Sequence, residues 1–291
     1  MIANDNAILE HFIENWDKML KDYVSKMEDK IISRKFLPTR NIGGDVMYDI
    51  VTRYDRTGAG AQIMSKGAVP KGSGVDATTE TYMMYQLLDG FLIHEKDMKL
   101  DPKLKGRELE IILNNIHRAE NILTLTGNTA HGMDGLADIV PAGNVWSAAE
   151  KWDRTGGAPE YYDDVLSAIA LMDQDFEPRY LIGNRQDMLQ LYWLSDDTKQ
   201  PVYQQIAGLF GKNPTDPVSS WLIPCGNSTL PVGTAYVVPY DADAAELVIS
   251  ENPSLRAIPQ QRGGNYPIEM YEWLNMEWHE PNAFCSIDTL Q

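Results

Sequence analysis

The feature that most constrains this chain is one amphipathic stretch from Asp101 to Gly127, which carries a helix start signal and a helix stop signal. Asp101 is a favourable N-cap, Pro102 fits the first helical position, and Gly127 can adopt the left-handed conformation that ends a helix. Apolar residues recur between them at steps of three and four: Leu109, Ile112, Leu113, Ile116, Ala119 and Leu123. The polar face is predicted to hold Arg107, Glu108, Glu110, Asn114, Asn115, Arg118 and Asn121. The spacing predicts a long central helix with one buried face.

A second helix is predicted at the N-terminus, from Asn6 to Ile32. Its apolar residues follow helical spacing and include Phe12, Trp16, Met19 and Tyr23. This helical arm packs either on its own domain or on a neighbouring subunit, and the sequence leaves both arrangements open.

Residues 45–97 have a strand-like pattern instead. The runs VMYDIVTRYDRTG and TTETYMMYQLLDGFLIHEKD are rich in β-branched and aromatic residues, and a Gly/Ala/Lys segment separates them. They predict a projecting two-stranded loop. The glycines of its tip match neither of the common phosphate-binding loops.

The rest of the chain mixes helices and strands. A helix is predicted from about Pro159 to Gln174, followed by a buried strand RYLIG, a cap at Asn184 and a helix RQDMLQLYWL. Further strands are TAYVVPY and AELVIS, and two closing strands are broken at Glu280-Pro281-Asn282. The predicted fold class is α+β.

Composition limits the function classes. The net charge of −17 repels phosphate backbones, which disfavours sequence-specific nucleic-acid binding. No apolar run reaches membrane-spanning length and the start of the chain is polar, so we expect neither a membrane span nor a signal peptide. Cys225 and Cys285 are expected to be buried free thiols of a reducing compartment.

The sequence contains no recognisable catalytic or metal-binding motif. His117 lacks the HExxH spacing, while His131 with Asp134 and His279 with Glu277 and Glu280 form short polar clusters of a kind that is usually solvated. We therefore predict no catalytic residue, no cofactor and no metal. One alternative stays open, a soluble hydrolase with a pocket of tryptophans and carboxylates. Its carboxylate candidates are Asp163-Asp164 and Asp241 with Asp243, and its tryptophans are Trp146, Trp152, Trp193, Trp221, Trp273 and Trp278.

The order of these parts resembles the major capsid proteins of tailed viruses, the Hong Kong 97 type, and the encapsulins that share their fold. The resemblance rests on SRKFLP after the arm, HRAE and TGN at the end of the long helix, GMDGLAD, PRYLIGNRQDMLQL and the closing WHEPNAF. Its most specific stretches are Leu100 to Leu136, where Glu120, Gly127, Gly135 and Leu136 match the family's pattern, and Tyr180 to Leu191.

The resemblance implies four parts. Residues 1–37 would be an N-terminal helical arm and 38–140 a peripheral domain, which includes the extended loop 53–82 and the spine helix 101–127. Residues 141–262 would be an axial domain, and 263–291 return strands of the peripheral domain.

The implied function is assembly without catalysis: pentamers and hexamers of this chain tile an icosahedral shell. We favour the major capsid protein of a tailed virus, assembled in the host cytoplasm and found in the virion, with a separate scaffold, portal or cement protein and packaged DNA that is not read by sequence. The alternatives are an encapsulin shell around a cargo enzyme, or a tube or adaptor subunit. The expected assembly contacts are Phe12, Trp16, Met19 and Tyr23 of the arm and Lys66 and Lys71 of the loop. Some capsids of this type form covalent links between lysine and asparagine, and the two lysines are also candidates for such cross-links.

Overall fold

The computed structural model describes residue 20 and residues 31–43, 48–57, 74–94, 106–152, 160–194, 200–258 and 265–288. Most of the predicted arm helix and the tip of the predicted loop lie outside these ranges. So does the predicted start of the long helix at Asp101 and Pro102.

The helices differ greatly in length, and the 21-residue α2 is the longest of those described. They are α1 (Ser33–Phe36), α2 (Gly106–Thr126), α3 (Leu136–Ile139), α4 (Tyr161–Leu171), α5 (Arg185–Gln190) and α6 (Val202–Ile206). No helix in the described part of the chain is long and apolar enough to cross a membrane.

The strands form two sheets and a ribbon. They are β1 (Thr39–Asn41), β2 (Tyr48–Thr57), β3 (Gly74–Met83), β4 (Tyr85–His94), β5 (Val145–Ser147), β6 (Tyr180–Asn184), β7 (Leu222–Cys225), β8 (Thr234–Val238), β9 (Ala245–Ala257), β10 (Asn265–Trp278) and β11 (Cys285–Asp288). One sheet has the order β1-β9-β10-β4 and the other β5-β11-β8-β6-β7. The α+β class predicted from the sequence is confirmed.

The two-stranded ribbon consists of β2 and β3, paired antiparallel from Tyr48 opposite Met83 to Thr57 opposite Gly74. These strands include the described parts of the predicted loop. The long alternating run that follows the loop tip is divided at the buried Met84, because β3 pairs in the ribbon whereas β4 joins the four-stranded sheet.

Helix α2 packs on the four-stranded sheet through the apolar face that its spacing predicts. Leu109, Ile112, Leu113 and Ile116 are buried against residues of β4 and β10, namely Ile93, Tyr266, Ile268 and Met270. The predicted polar face is wrong at Asn121, which is buried because the chain segment before β1 covers it.

The end of α2 is fixed by two glycines in close contact. Gly127 has a φ of 68°, and its N–H donates to the Leu123 carbonyl at 2.9 Å. A Cβ on Gly135 would collide with the Gly127 backbone, so this approach requires glycine. Asp138 completes the turn by accepting from the Gly135 N–H at 3.0 Å. The sequence prediction of a stop at Gly127 is confirmed.

The five-stranded sheet builds a second core with α4, α5 and α6, where Trp152, Trp221 and Phe210 are buried. Its strand β11 lies between β5 and β8, although β11 follows β10 of the other sheet after only a short turn. The two predicted closing strands therefore serve different sheets, so a boundary at residue 263 does not separate the two sheets. The division into arm, peripheral domain and axial domain stays a prediction.

Both cysteines are free and buried, as expected. Burial raises the pKa of the Cys225 thiol to about 12 and that of Cys285 also to about 12. Neither thiol will ionise or react readily at neutral pH.

Candidate assembly surfaces

The six predicted assembly contacts, Phe12, Trp16, Met19, Tyr23, Lys66 and Lys71, lie outside the described residues. Two features of the described residues concern these predicted contacts. Leu20, between Met19 and Tyr23 in sequence, is buried in the cluster that contains Leu109 of α2. The arm therefore contacts its own subunit at this residue. The second feature is the junction where the arm and the ribbon meet the sheet.

The arm side of this junction is held by the end of α2. The Asn121 Oδ1 accepts from the backbone N–H of Ile32 at 2.8 Å and of Ser33 at 3.2 Å. Both donors belong to the start of the four-residue helix α1, where amide groups have no partner within the helix. A side chain of the long helix thus caps the short one and fixes where the arm enters the fold.

A buried ion cluster lies beside this cap, and we call Arg34, Glu120, Glu272 and Ser33 the arm cluster. Arg34 Nη2 donates to Glu120 Oε2 at 3.1 Å and also to Glu272, while the Ser33 hydroxyl donates to Glu120. Both carboxylate side chains are fully buried. Burial and the nearby Glu120 raise the pKa of Glu272. Burial lowers the pKa of Arg34, but the two carboxylates outweigh it and raise that pKa above its usual value.

The base of the ribbon is held by Arg40 of β1, which binds carboxylates from three other strands: Asp49 of β2, Glu246 of β9 and Glu277 of β10, each at 2.7 Å. We call these four residues the ribbon cluster. Burial raises the pKa of Glu277 to about 7. Burial opposes the charge of Arg40, but hydrogen bonds to Glu246 and Asp49 raise its pKa. One guanidinium therefore joins the ribbon to the four-stranded sheet.

The ribbon cluster also contains a set of potential metal ligands. His279 Nε2 lies 4.0 Å from Glu246 Oε2 and 3.9 Å from Glu277 Oε2. The same two carboxylate oxygens already accept from Arg40. A metal ion there would compete with the guanidinium and be repelled by its charge, so we assign no metal site to these residues. Glu280 is directed elsewhere and accepts from the side-chain amide of Asn282 at 3.1 Å.

Trp152 and Trp221, two of the tryptophans proposed to line a hydrolase pocket, are buried in the second core. Asp164 is buried and accepts from Trp146 Nε1 at 3.0 Å and from Trp152 Nε1 at 2.9 Å, so both its oxygens have structural partners. Trp221 stacks on Phe210 in the same core, with ring centroids 5.1 Å apart. Trp278 lies at the end of β10 and packs on Phe284. Asp163, next to Asp164, is exposed.

A group of exposed apolar side chains lies at the end of α5 and directly after it. We call Leu189, Tyr192, Trp193 and Leu194 the 189–194 patch. The sequence RQDMLQLYWL predicts one helix here, but α5 ends at Gln190 and the following residues turn away, which leaves these side chains exposed. Periodicity gave no sign of this patch.

The arm cluster was also missed by pattern reasoning, although one signal for it exists. Glu120 follows Ile116 by one helical turn and so lies on the apolar stripe of α2. A carboxylate on a buried stripe requires a partner, because an unpaired buried charge is very unfavourable. Its partners Ser33 and Arg34 are distant in sequence and only the fold brings them together.

No protein-family model matches this chain, and no curated protein matches its sequence. Comparison of structures is informative. The virus-like particle from Pyrococcus furiosus has a TM-score of 0.63 at 13% identity, over 94% of this chain and 99% of that one. The capsid of Myoviridae phage XM1 has a TM-score of 0.66 at 12% identity, over 89% and 91%. The chain has the Hong Kong 97-type fold. The holo-SrpI encapsulin complex from Synechococcus elongatus shares this fold, with a TM-score of 0.55 at 13% identity over 89% and 86%.

Proposed function

We propose that this chain is a structural subunit that assembles with many copies of itself into a closed icosahedral shell. The observation that carries the proposal is the Hong Kong 97-type fold over about nine tenths of the chain, a fold it shares with a phage capsid, a virus-like particle and an encapsulin. No catalytic role is proposed. The most suggestive carboxylate for a hydrolase, Asp164, is fully engaged by two indole N–H groups in a core.

The proposed shell is the capsid of a tailed virus, made of pentamers and hexamers around a DNA genome and located in the virion after assembly in the host cytoplasm. The Trp- and Asn-rich closing strands support this choice. A separate scaffold, portal or cement protein fits this function. The encapsulin alternative, a shell around a cargo enzyme, is supported by the SRKFLP segment and by the matched encapsulin.

The contents of native particles distinguish these two shells. Particles purified from cells that produce this protein would be treated with nuclease, before and after disruption, and then assayed for DNA and for co-purifying proteins. The viral proposal predicts DNA that resists nuclease only while the particle is intact. Particles without protected DNA but with a stoichiometric cargo enzyme would overturn it in favour of the encapsulin.

The arm residues Phe12, Trp16, Met19 and Tyr23 are proposed contacts between subunits. Replacing Phe12 and Trp16 by alanine should reduce the yield of particles while leaving the free energy of unfolding of the subunit nearly unchanged. Leu20→Ala is the matched control, because Leu20 is buried within its own subunit and its truncation should cost about 2–5 kcal/mol of subunit stability. If the double variant loses as much stability as Leu20→Ala, the arm is ordinary core.

Lys66 and Lys71 of the loop are proposed contacts and candidate cross-linking residues. Denaturing gel electrophoresis of boiled particles would show a ladder of multimers if covalent links form. Replacing both lysines by alanine should remove the ladder, and a ladder that persists would exclude them as the linking residues.

A further inference from the structure

The arm cluster contains two carboxylates and a single cation. Glu120 and Glu272 both accept from the same nitrogen of Arg34, its Nη2, so the two buried carboxylates lie close together. The fourth member, Ser33, contributes only a neutral hydroxyl group. With both carboxylates ionised, the cluster would therefore hold one uncompensated negative charge inside the protein, which is very unfavourable.

The hydrogen bonds show which carboxylate holds the proton that removes this charge. Both oxygens of Glu120 have donors: Oε1 accepts from Ser33 and from Arg34 Nε, and Oε2 accepts from Arg34 Nη2. Glu272 has a donor on Oε1, but its Oε2 is buried and has no hydrogen-bond partner among the described residues. An ionised oxygen in that position would be neither solvated nor paired. The proton therefore belongs on Glu272.

The charged groups that act on Glu272, which lies on β10, come from two other elements. Burial and repulsion by Glu120 of α2 raise the pKa of Glu272 to about 8, although the attraction and the hydrogen bond of Arg34 of α1 oppose them. The buried His117 is also on α2, three positions before Glu120. Two carboxyl groups that share a buried site with one cation are expected to behave in this way. Glu272 is therefore mostly neutral at pH 7.

We propose that a proton on Glu272 keeps segment 32–36, which leads from the predicted arm into β1, docked on α2 and β10. This segment supplies Arg34 and Ser33, so undocking it exchanges the partners of both carboxylates for water. Glu272 then regains an ordinary pKa, and the undocked form binds fewer protons than the docked form. Docking is therefore most stable at low pH and is weakened as the pH rises towards about 8. This control of the arm does not depend on the shell function.

Hydrogen exchange at the backbone of Ile32 and Ser33 measures the undocking, because both N–H groups donate to Asn121 Oδ1 in the docked form. The full-length chain is used at one concentration, and each rate is divided by the intrinsic rate at that pH to give a protection factor. This factor should fall at least about ten-fold from pH 6 to pH 8, since one linked proton changes the equilibrium by up to about ten-fold per pH unit. The reference is the Leu181 N–H, which donates to the Trp221 carbonyl in the second core and should be better protected.

Glu272→Gln tests the role of the proton, because a neutral amide of nearly the same shape replaces the protonated carboxyl group. Its protection factors should change less than about two-fold over the same pH range. Glu269→Gln is the matched control, since it removes a partly exposed carboxylate of the same strand, and it should keep the pH dependence of the wild type.

Three results would overturn the proposal. The first is a wild-type protection factor at Ile32 and Ser33 that does not change with pH. The second is protection equal to that of Leu181, which would mean that the segment leaves only when the whole subunit unfolds. The third is a Glu272→Gln chain with the pH dependence of the wild type. The first two need no substitution, so they decide the matter even if the variant misfolds.

Discussion

The Arg34→Met substitution would leave two buried carboxylates without their cation. The Glu120 and Glu272 side chains are fully buried, and Arg34 contacts both. Removing one partner of a buried ion pair costs about 3–5 kcal/mol, because the remaining charge is neither solvated nor paired. Glu272 can reduce this cost by taking up a proton, since its pKa is already raised by burial and by Glu120. We therefore expect a loss near the lower end, about 3 kcal/mol at neutral pH.

The measurement is urea unfolding of the full chain by tryptophan fluorescence, at a fixed protein concentration because association between subunits also adds stability. Arg256→Met is the matched control. Arg256 pairs with Glu269 at 2.6 Å but is about half exposed, and it lies 5.2 Å from the centre of the Tyr271 ring. Such an exposed pair with a cation–π contact contributes about 1 kcal/mol or slightly more.

If Arg34→Met lowered the free energy of unfolding by no more than Arg256→Met does, the arm cluster would not be a stabilising element. A further check adds Glu272→Gln to Arg34→Met. This second substitution removes the buried carboxyl group that must otherwise take up a proton or carry an unpaired charge, so it should restore part of the lost free energy of unfolding. No recovery would show that the cost arises from lost packing of the Arg34 side chain instead.

Three further predictions concern single residues. Gly135→Ala should lower the free energy of unfolding by about 1–3 kcal/mol, because the new Cβ meets the backbone of Gly127. Gly143→Ala is the control and should leave thermal unfolding nearly unchanged, because the space around Gly143 is open; equal effects of the two substitutions would contradict the close approach. Asp164→Asn should lower the free energy of unfolding by about 1–3 kcal/mol, because one of the two indole N–H groups loses its acceptor. Asp163→Asn, at an exposed residue, is the control, and an unchanged melting temperature for Asp164→Asn would contradict the two hydrogen bonds. The pKa of Glu277 in the folded protein is raised to about 7, so its contribution to stability is full below its unfolded pKa and is lost as the pH rises through 7. Between about pH 5 and pH 8 the free energy of unfolding should therefore fall, and Glu277→Gln should make this fall smaller by up to about 3 kcal/mol. If the variant shows the same fall as the wild type, the raised pKa is contradicted.

Local signals predicted much of the architecture. The apolar spacing of α2, its stop at Gly127 and the cap at Asn184, whose side chain accepts from the Gln186 N–H at 2.9 Å, all depend on neighbours within a few residues. Such patterns are visible in a sequence because the interactions that they encode are local. The order of these parts was enough to indicate the Hong Kong 97-type fold.

The features that the sequence did not reveal depend on distant parts of the chain. Arg40 meets Glu277 across 237 positions, and Asn121 is buried only because the segment at Ile32 packs on it. Strand β11 belongs to a different sheet from β10, the strand before it in the chain. The alternation of apolar and polar residues could not predict this, because it shows that a strand has two different faces but not which strand it pairs with. The exposure of the 189–194 patch was not predicted for a related reason. Apolar residues at helical spacing are assigned to the core unless something else indicates that the helix ends.

The most direct test of the shell function is electron microscopy of the purified full-length chain, expressed alone and with its mass determined in solution. The account predicts uniform closed particles with a mass in the megadalton range, built from the 32.7 kDa chain. A homogeneous species of one to a few chains at every salt concentration and pH would contradict a shell that assembles from this chain alone.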